Sequence, residues 1–114
     1  MPKLEVEDGI ILPDTPIARK LGFTSNLFSG YLWKKGDFIY ISFIISLRPG
    51  EGNFRRLLKN IEKFGYGIKV PTPLARMKSI LIKHGFRPTM EYAPEFEEFV
   101  EVWVKPSREV SESG

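Results

Sequence analysis

Residues 38–58 read FIYISFIISLRPGEGNFRRLL. Seven of the first ten positions are aromatic or β-branched, and both alternating sets of positions are largely apolar, which predicts a central strand covered on two sides. Residues 48–52 break the pattern with a proline and two glycines. Beyond them, apolar side chains recur at helical spacing, at Phe54, Leu57, Leu58 and Ile61. This stripe predicts a helix from Asn53 to near Gly65, so a buried strand that turns into an amphipathic helix is the centre of the expected fold.

The segments before this strand predict a hairpin and a short helix. Residues 28–33 are rich in aromatic residues, and residues 34–37 supply the turn that joins them to the central strand. Residues 16–20 begin with a proline after two side chains suited to capping, which predicts a short helix that ends at Gly22. Apolar and polar residues alternate loosely over residues 4–12, which predicts a strand or a small hairpin.

The segments after the first long helix predict a strand, a helix and two further strands. Residues 66–70 read as a short strand, and Thr72 is a natural cap followed by a proline at the first helical position. The inward positions of this second long helix are Leu74, Met77, Ile80 and Leu81. Gly85 should end it, and residues 86–92 and 99–105 should form the last two strands.

These elements together predict a single α/β (α+β) domain over residues 1–106. The opening and closing hairpins are antiparallel, so the sheet should be mixed and largely antiparallel, with helices packed on its faces. Residues 107–114 are rich in serine and predict a flexible tail.

Composition restricts the possible functions. The chain has 114 residues, of which 42% are hydrophobic, and a net charge of +3, which fits one globular domain and permits an anionic ligand. It has no cysteine and one histidine, His84, so we expect neither disulfides nor a zinc site. Its apolar runs are too short for a signal peptide or a membrane span, which predicts a cytoplasmic protein without a membrane partner. The lack of glutamine suggests a thermophilic source.

The turn between the central strand and the helix is the best candidate for a binding site. Unpaired amide groups converge at a helix start, and the helix dipole favours negative charge there. Gly50 and Gly52 allow a ligand to approach the main chain closely. Arg48, Arg55 and Arg56 add positive charge, so a pyrophosphate would be attracted.

Residues 38–105 resemble the GNAT family of N-acetyltransferases. The matching segments are ISLRPGEGNFRRLL at residues 45–58, IKVP at residues 68–71, and the Lys-His-Gly-Phe ending at residues 83–86. The resemblance implies a central strand that ends in a pyrophosphate loop, a following helix, and a next strand that is parallel to the first and splays away from it. It also implies acetyl-coenzyme A as cosubstrate and a small-molecule or protein amine as acceptor.

The resemblance assigns the cofactor-binding residues as well. Main-chain groups of Ser46, Leu47 and Arg48 would pair with the pantetheine arm. The pyrophosphate would be held by the amides of Gly50, Glu51, Gly52, Asn53 and Phe54. A homodimer paired through the last strand, residues 99–104, would also fit.

The catalytic residues stay unassigned. Counting back from Gly85 places Leu81 where the family often carries a tyrosine general acid, and leucine cannot protonate a thiolate. The titratable candidates for a general base are Glu91, Tyr92, Glu95, Glu97 and Glu98.

Three functions therefore remain open. The first is an N-acetyltransferase, and the second is an inactive GNAT-like domain that binds coenzyme A or a protein partner. The third and least favoured is a nucleic-acid-binding module that uses a basic helix face formed by Arg55, Arg56, Lys59 and Lys63.

Overall fold

The computed structural model describes residues 7–106 of the chain, and this part forms six strands and three helices. In chain order they are β1 (Gly9–Ile11), α1 (Pro16–Leu21), β2 (Phe28–Lys35), β3 (Phe38–Ser46), α2 (Asn53–Lys63), β4 (Gly67–Pro71), α3 (Ala75–Lys83), β5 (Arg87–Ala93) and β6 (Glu98–Lys105). The expected α+β class is confirmed. The first residues of the predicted opening strand and the whole predicted tail, 107–114, lie outside the described residues.

The six strands form one mixed sheet in the order β1-β2-β3-β4-β6-β5. Within residues 7–106, β3 and β4 are the one parallel pair, joined through α2, and every other neighbouring pair is antiparallel. Two parallel strands need a crossover connection, and α2 supplies it. The last strand, β6, lies between β4 and β5, so it is not an edge strand of this sheet.

The short helix α1 forms where its capping signals predict. The hydroxyl of Thr15 accepts a hydrogen bond from the main-chain N–H of Ala18, and Pro16 occupies the first turn. Gly22 ends the helix in the left-handed conformation, with φ of 81°. Both ends thus have the caps that satisfy otherwise unpaired main-chain groups.

The start predicted for the second long helix is wrong. α3 begins at Ala75, its N-cap is Leu74, and no side chain caps it. Thr72 adopts a positive φ of 38° and its N–H donates to Glu101 O on β6, so it continues the contact between β4 and β6 instead of starting a helix. Leu74, expected to face inward, is 81% exposed, because a cap position lies before the first helical turn.

The described helices all pack on one face of the sheet, here called the helical face. The core takes its strand residues from this face, namely Ile11, Phe28, Leu32, Ile39, Ile41, Ile68, Val70 and Trp103. The helices add Ala18, Leu21, Leu57, Leu58, Ile61 and Leu81. The predictions of helices on both faces and of a central strand covered on two sides are therefore wrong.

The opposite face, here called the open face, has no helix from the described residues over it. Strand register places on it the alternate residues Ile10, Tyr31, Trp33, Phe38, Tyr40, Phe43 and Ile45. Trp33 is 42% exposed, Phe43 53% and Ile45 51%. The apolar residues that suggested double coverage of β3 are thus partly exposed to solvent.

A bulge in β3 adjusts its pairing with β2. The register shifts between Tyr31 and Trp33, so β3 has one residue more than β2 at this point. Just beyond the bulge, Gly30 faces Ile44 with φ of 112°. A Cβ at Gly30 would lie 2.3 Å from the main-chain oxygen of Phe43, so the close approach of the two strands here requires glycine.

Candidate functional site

The central strands β3 and β4 separate part of the way along their length. They pair at Phe38, Ile39 and Tyr40 of β3, and the last pair is Tyr40 with Lys69. Beyond it, β3 continues to Ser46 alongside β2 only, while Val70 continues alongside β6. The facing edges of the two strands are therefore unpaired past Tyr40 and Lys69, and main-chain groups on these edges can bind an extended ligand.

Alternate residues at the end of β3 point their main-chain groups in opposite directions. The N–H of Leu47 donates to Leu27 O at 2.8 Å, so it is turned toward the β2 side and is already used. Because successive residues of a strand alternate, Ser46 turns its groups toward the unpaired edge. Of the main-chain groups expected to pair with the pantetheine arm, the N–H of Leu47 is thus already bonded within the protein, whereas Ser46 is suitably oriented.

The turn from β3 into α2 depends on two glycines with positive φ. Gly50 has φ of 86°, and Gly52, the N-cap of α2, has φ of 78°. A Cβ built at Gly50 would meet no atom within 4 Å, so the space over this part of the turn is open. The glycines thus expose main chain at the start of an 11-residue helix.

The amides at this helix start are free within the described structure. The first helical hydrogen bond runs from Arg56 N–H to Gly52 O at 3.1 Å, so the amides of Asn53, Phe54 and Arg55 precede it and have no helical acceptor. No side chain caps them, and the first turn has no acidic residue. Together with the helix dipole, these groups favour an anion.

Asn53 adds a buried donor to this turn. The residue is 6% exposed, and its Nδ2 has no hydrogen-bond partner among the described residues. Its Oδ1 accepts from Arg56 Nη2, and the same nitrogen donates to Glu51 O at 3.0 Å. Arg56 therefore folds back over the turn and fixes it, while a buried amide donor remains available.

The remaining predicted site residues surround this turn. Arg48, Gly50, Glu51 and Gly52 are exposed, and Phe54 is partly buried against the core. The structure therefore brings Gly50, Gly52 and Asn53 together with the guanidinium of Arg56. Phe54 packs against the core, so its ring does not obstruct the turn.

Of the five candidates for a general base, one lies beside the point where the strands separate. Glu91 Oε2 is 2.8 Å from Lys69 Nζ. Burial tends to lower the pKa of Lys69, but its hydrogen bonds to Glu91 and Tyr40 and their charges keep this pKa above its ordinary value. Tyr92 packs edge-on against Phe99, with ring centres 5.4 Å apart. The other three are exposed, Glu95 and Glu97 in the turn between β5 and β6 and Glu98 at the first position of β6.

Sequence reasoning missed the surroundings of Lys69. The side chain lies over the Phe38 ring at 4.6 Å and the Tyr40 ring at 5.5 Å. It lines an open depression of about 500 Å³ on the open face, which Arg87 and Thr89 also border. The alternation of β3 and β4 was a usable signal for the two rings, but the ion-pair partner of Lys69, Glu91, comes from distant β5.

His84, at the end of α3, belongs to a second polar cluster. Its Nε2 lies 3.5 Å from Glu62 Oε1, which is 3.0 Å from Lys105 Nζ. Burial lowers the pKa of His84, and the positive charge of Lys105 lowers it further. This histidine is predominantly neutral at neutral pH and links α2, α3 and β6.

In the described range 7–106, no three His, Cys, Asp or Glu side chains are grouped as metal ligands. None of the helices in that range has the length and hydrophobicity needed to cross a membrane. Comparisons with family models, with curated proteins and with solved structures give no match to this chain.

Proposed function

We propose that this protein binds acetyl-coenzyme A at the turn before α2 and transfers the acetyl group to a primary amine. The supporting observation is the combination of the separating strands β3 and β4 with the turn at Gly50–Gly52 and the unpaired Nδ2 of Asn53. A splayed pair followed by an anion-binding helix start is the arrangement that the GNAT resemblance implies. The splayed strands suit an extended amide-containing arm, and the helix start suits a pyrophosphate.

Each part of the proposed site has a separate role. The free amides of Asn53, Phe54 and Arg55 would hold phosphate oxygens, and Asn53 Nδ2 would add a side-chain donor. The unpaired edge at Ser46 would align the pantetheine arm by strand-like hydrogen bonds. The bound thioester supplies the activated acetyl group, and the chain's contribution is to hold it in place for attack by a neutral amine. In this proposal no residue is assigned to catalysis.

A second candidate function is binding of coenzyme A without turnover. It is favoured by Leu81, which stands at the family's tyrosine position and is fully buried in the core. A buried leucine cannot donate a proton to the departing thiolate, so transfer would depend on positioning alone. The two candidates share the same binding site and differ only in whether free thiol is released.

Calorimetric titration of acetyl-coenzyme A tests the shared site with a matched pair of variants. Gly50 and Gly36 both have positive φ, and a Cβ at either meets no atom within 4 Å, but Gly36 lies in the β2–β3 turn. Gly50→Val and Gly36→Val therefore impose similar backbone strain, and only the first blocks the proposed site. We expect micromolar binding by the native protein and by Gly36→Val, and loss of binding in Gly50→Val.

The outcomes separate the proposals. If the native protein binds no acetyl-coenzyme A, or if Gly50→Val binds as well as the native protein, the proposed site is wrong. If binding is confirmed, release of free thiol is measured with a polyamine, a lysine-containing peptide and a peptide with a free N-terminus. Thiol release with acetylation of one of these amines supports the enzyme, and binding without release supports the inactive module.

A further inference from the structure

The open face carries a row of side chains that crosses all six strands. Register pairs Ile10 with Trp33, Trp33 with Tyr40, and Tyr40 with Lys69. It then pairs Lys69 with Val104 and Val104 with Arg87. The cross-strand row is therefore Ile10, Trp33, Tyr40, Lys69, Val104 and Arg87. Aromatic rings occupy the β2 and β3 positions, and cations occupy the β4 and β5 positions.

We propose that this row binds single-stranded nucleic acid. Exposed aromatic rings on a sheet are stacking platforms for unpaired bases, and nearby cations hold the phosphates. Trp33 is 42% exposed, and beyond it the Tyr31 and Phe43 rings stack with centres 6.1 Å apart. Strands lie about 4.8 Å apart, so the row from Trp33 to Arg87 extends about 19 Å, enough for a short run of bases.

The charges on this end of the open face favour a polyanion. Lys35 and Arg87 lie there without an ion-pair partner among residues 7–106, whereas the charge of Lys69 is balanced by Glu91. Of the two carboxylates that register places on this face, Glu91 is paired to Lys69, and Glu98 lies at the far end of β6. Two copies of the chain stacked through this face would bring these cations together, which disfavours a second copy as the occupant.

The site is distinct from the basic helix face of α2. Lys59 is exposed on α2, whose apolar side packs on the helical face. Arg87 is exposed on β5 and borders the depression of the open face. The substitutions Arg87→Glu and Lys59→Glu therefore change the net charge equally but at opposite sides of the sheet.

Fluorescence anisotropy with labelled dT12 at about 20 mM salt tests the proposal. We expect Trp33→Ala to weaken binding about tenfold or more through loss of a stacking ring, and Arg87→Glu to weaken it several-fold. Lys59→Glu should change it less than twofold. With about two phosphates neutralised, the logarithm of the affinity should fall with the logarithm of salt concentration with a slope of about −1.4.

Three outcomes would overturn the proposal. No binding of dT12 by the native protein at low salt would exclude a nucleic-acid site. A larger loss in Lys59→Glu than in Arg87→Glu would place the site on α2. Sedimentation that shows a dimer, broken by Trp33→Ala, would identify a second copy of the chain as the occupant of the open face.

Discussion

Tyr40 and Lys69 are the last paired residues of β3 and β4, and the Lys69 ammonium lies 5.5 Å from the Tyr40 ring. Past this pair, β3 pairs only with β2, and β4 pairs only with β6. The same position marks the start of the unpaired edges on which the acetyl-coenzyme A proposal depends, and it contributes two members of the cross-strand row. The two proposed sites thus meet at one residue pair but use different groups, main chain in one and side chains in the other.

Arg56 and Arg55 provide a direct test of the turn before α2. Both side chains are exposed, but Arg56 donates to Asn53 and to the main chain of Glu51, whereas the Arg55 side chain makes no hydrogen bond within residues 7–106. We expect Arg56→Ala to weaken acetyl-coenzyme A binding more than Arg55→Ala, although each removes one positive charge. If calorimetry shows that both substitutions weaken binding equally, Arg56 contributes only its charge and does not act by fixing the geometry of the turn.

Gly30→Ala should be markedly destabilising. A Cβ there would approach the Phe43 main chain to 2.3 Å, and φ is 112°, whereas Gly36, with φ of 60°, has open space around it. We expect Gly36→Ala to lower the free energy of unfolding by about 1 kcal/mol through backbone strain, and Gly30→Ala to lower it by about 3 kcal/mol or more. Urea denaturation measures both, and similar losses would show that the strands can move apart without cost.

The cap of α1 should contribute measurably to stability. Thr15 Oγ1 accepts from Ala18 N–H at 3.4 Å and donates to Leu12 O at 2.8 Å. Thr15→Ala removes both bonds and should lower the free energy of unfolding by about 1 kcal/mol, while Thr15→Ser should retain most of it. If serine and alanine are equally destabilising, the contribution comes from the threonine methyl group and not from the hydroxyl.

The protonation of His84 should make stability fall in mild acid. Its pKa is lowered in the folded state, so the unfolded chain binds the proton more tightly, and protonation favours unfolding. The contribution of His84 to the free energy of unfolding should be level above the unfolded pKa of 6.5 and decrease as pH falls below it. The charged groups that act on His84 are Glu62, Lys59 and Arg55 of α2 and Lys105 of β6.

Urea denaturation at pH 7.5 and 5.5 measures this effect, with His84→Gln as the control. The native protein should lose stability between these two pH values, and the variant should lose clearly less. The carboxyl groups of Asp8, Asp14 and Glu101 also have lowered pKa values, but they titrate below this range, since the ordinary values are 3.8 for the aspartates and 4.5 for Glu101. An unchanged loss in His84→Gln would assign the pH dependence to other groups.

Much of the fold could be predicted because its signals are local. The cap at Thr15, the left-handed end at Gly22 and the stripe of α2 depend on neighbouring residues only, and the structure confirms them. The predicted start of α3 is wrong because Thr72 has a side chain typical of a helix cap, but its main-chain N–H donates to Glu101 O on β6. The two residues are 29 positions apart in the sequence, so the residues around Thr72 do not reveal this contact.

The coverage of the sheet could not be predicted for a similar reason. Phe43 and Ile45 are apolar on the face opposite the core, and an apolar residue in a strand indicates burial only if another layer covers it. Both crossover helices, α2 and α3, lie on the same side as α1, and the sequence of β3 contains no information about this. The turn at Gly50 and Gly52 was found from local residues, whereas the ion pair of Lys69 and Glu91 depends on strand order.

Amide-resolved nuclear magnetic resonance during titration with acetyl-coenzyme A tests the central claim most directly. The proposal predicts that the largest shifts occur at the amides of Gly50, Gly52, Asn53 and Phe54, with a second group at the unpaired end of β3 around Ser46. Amides of the β2–β3 turn at Gly36 should not move. Shifts confined to β4, β5 and β6 on the open face, or no shifts at millimolar ligand, would contradict the account.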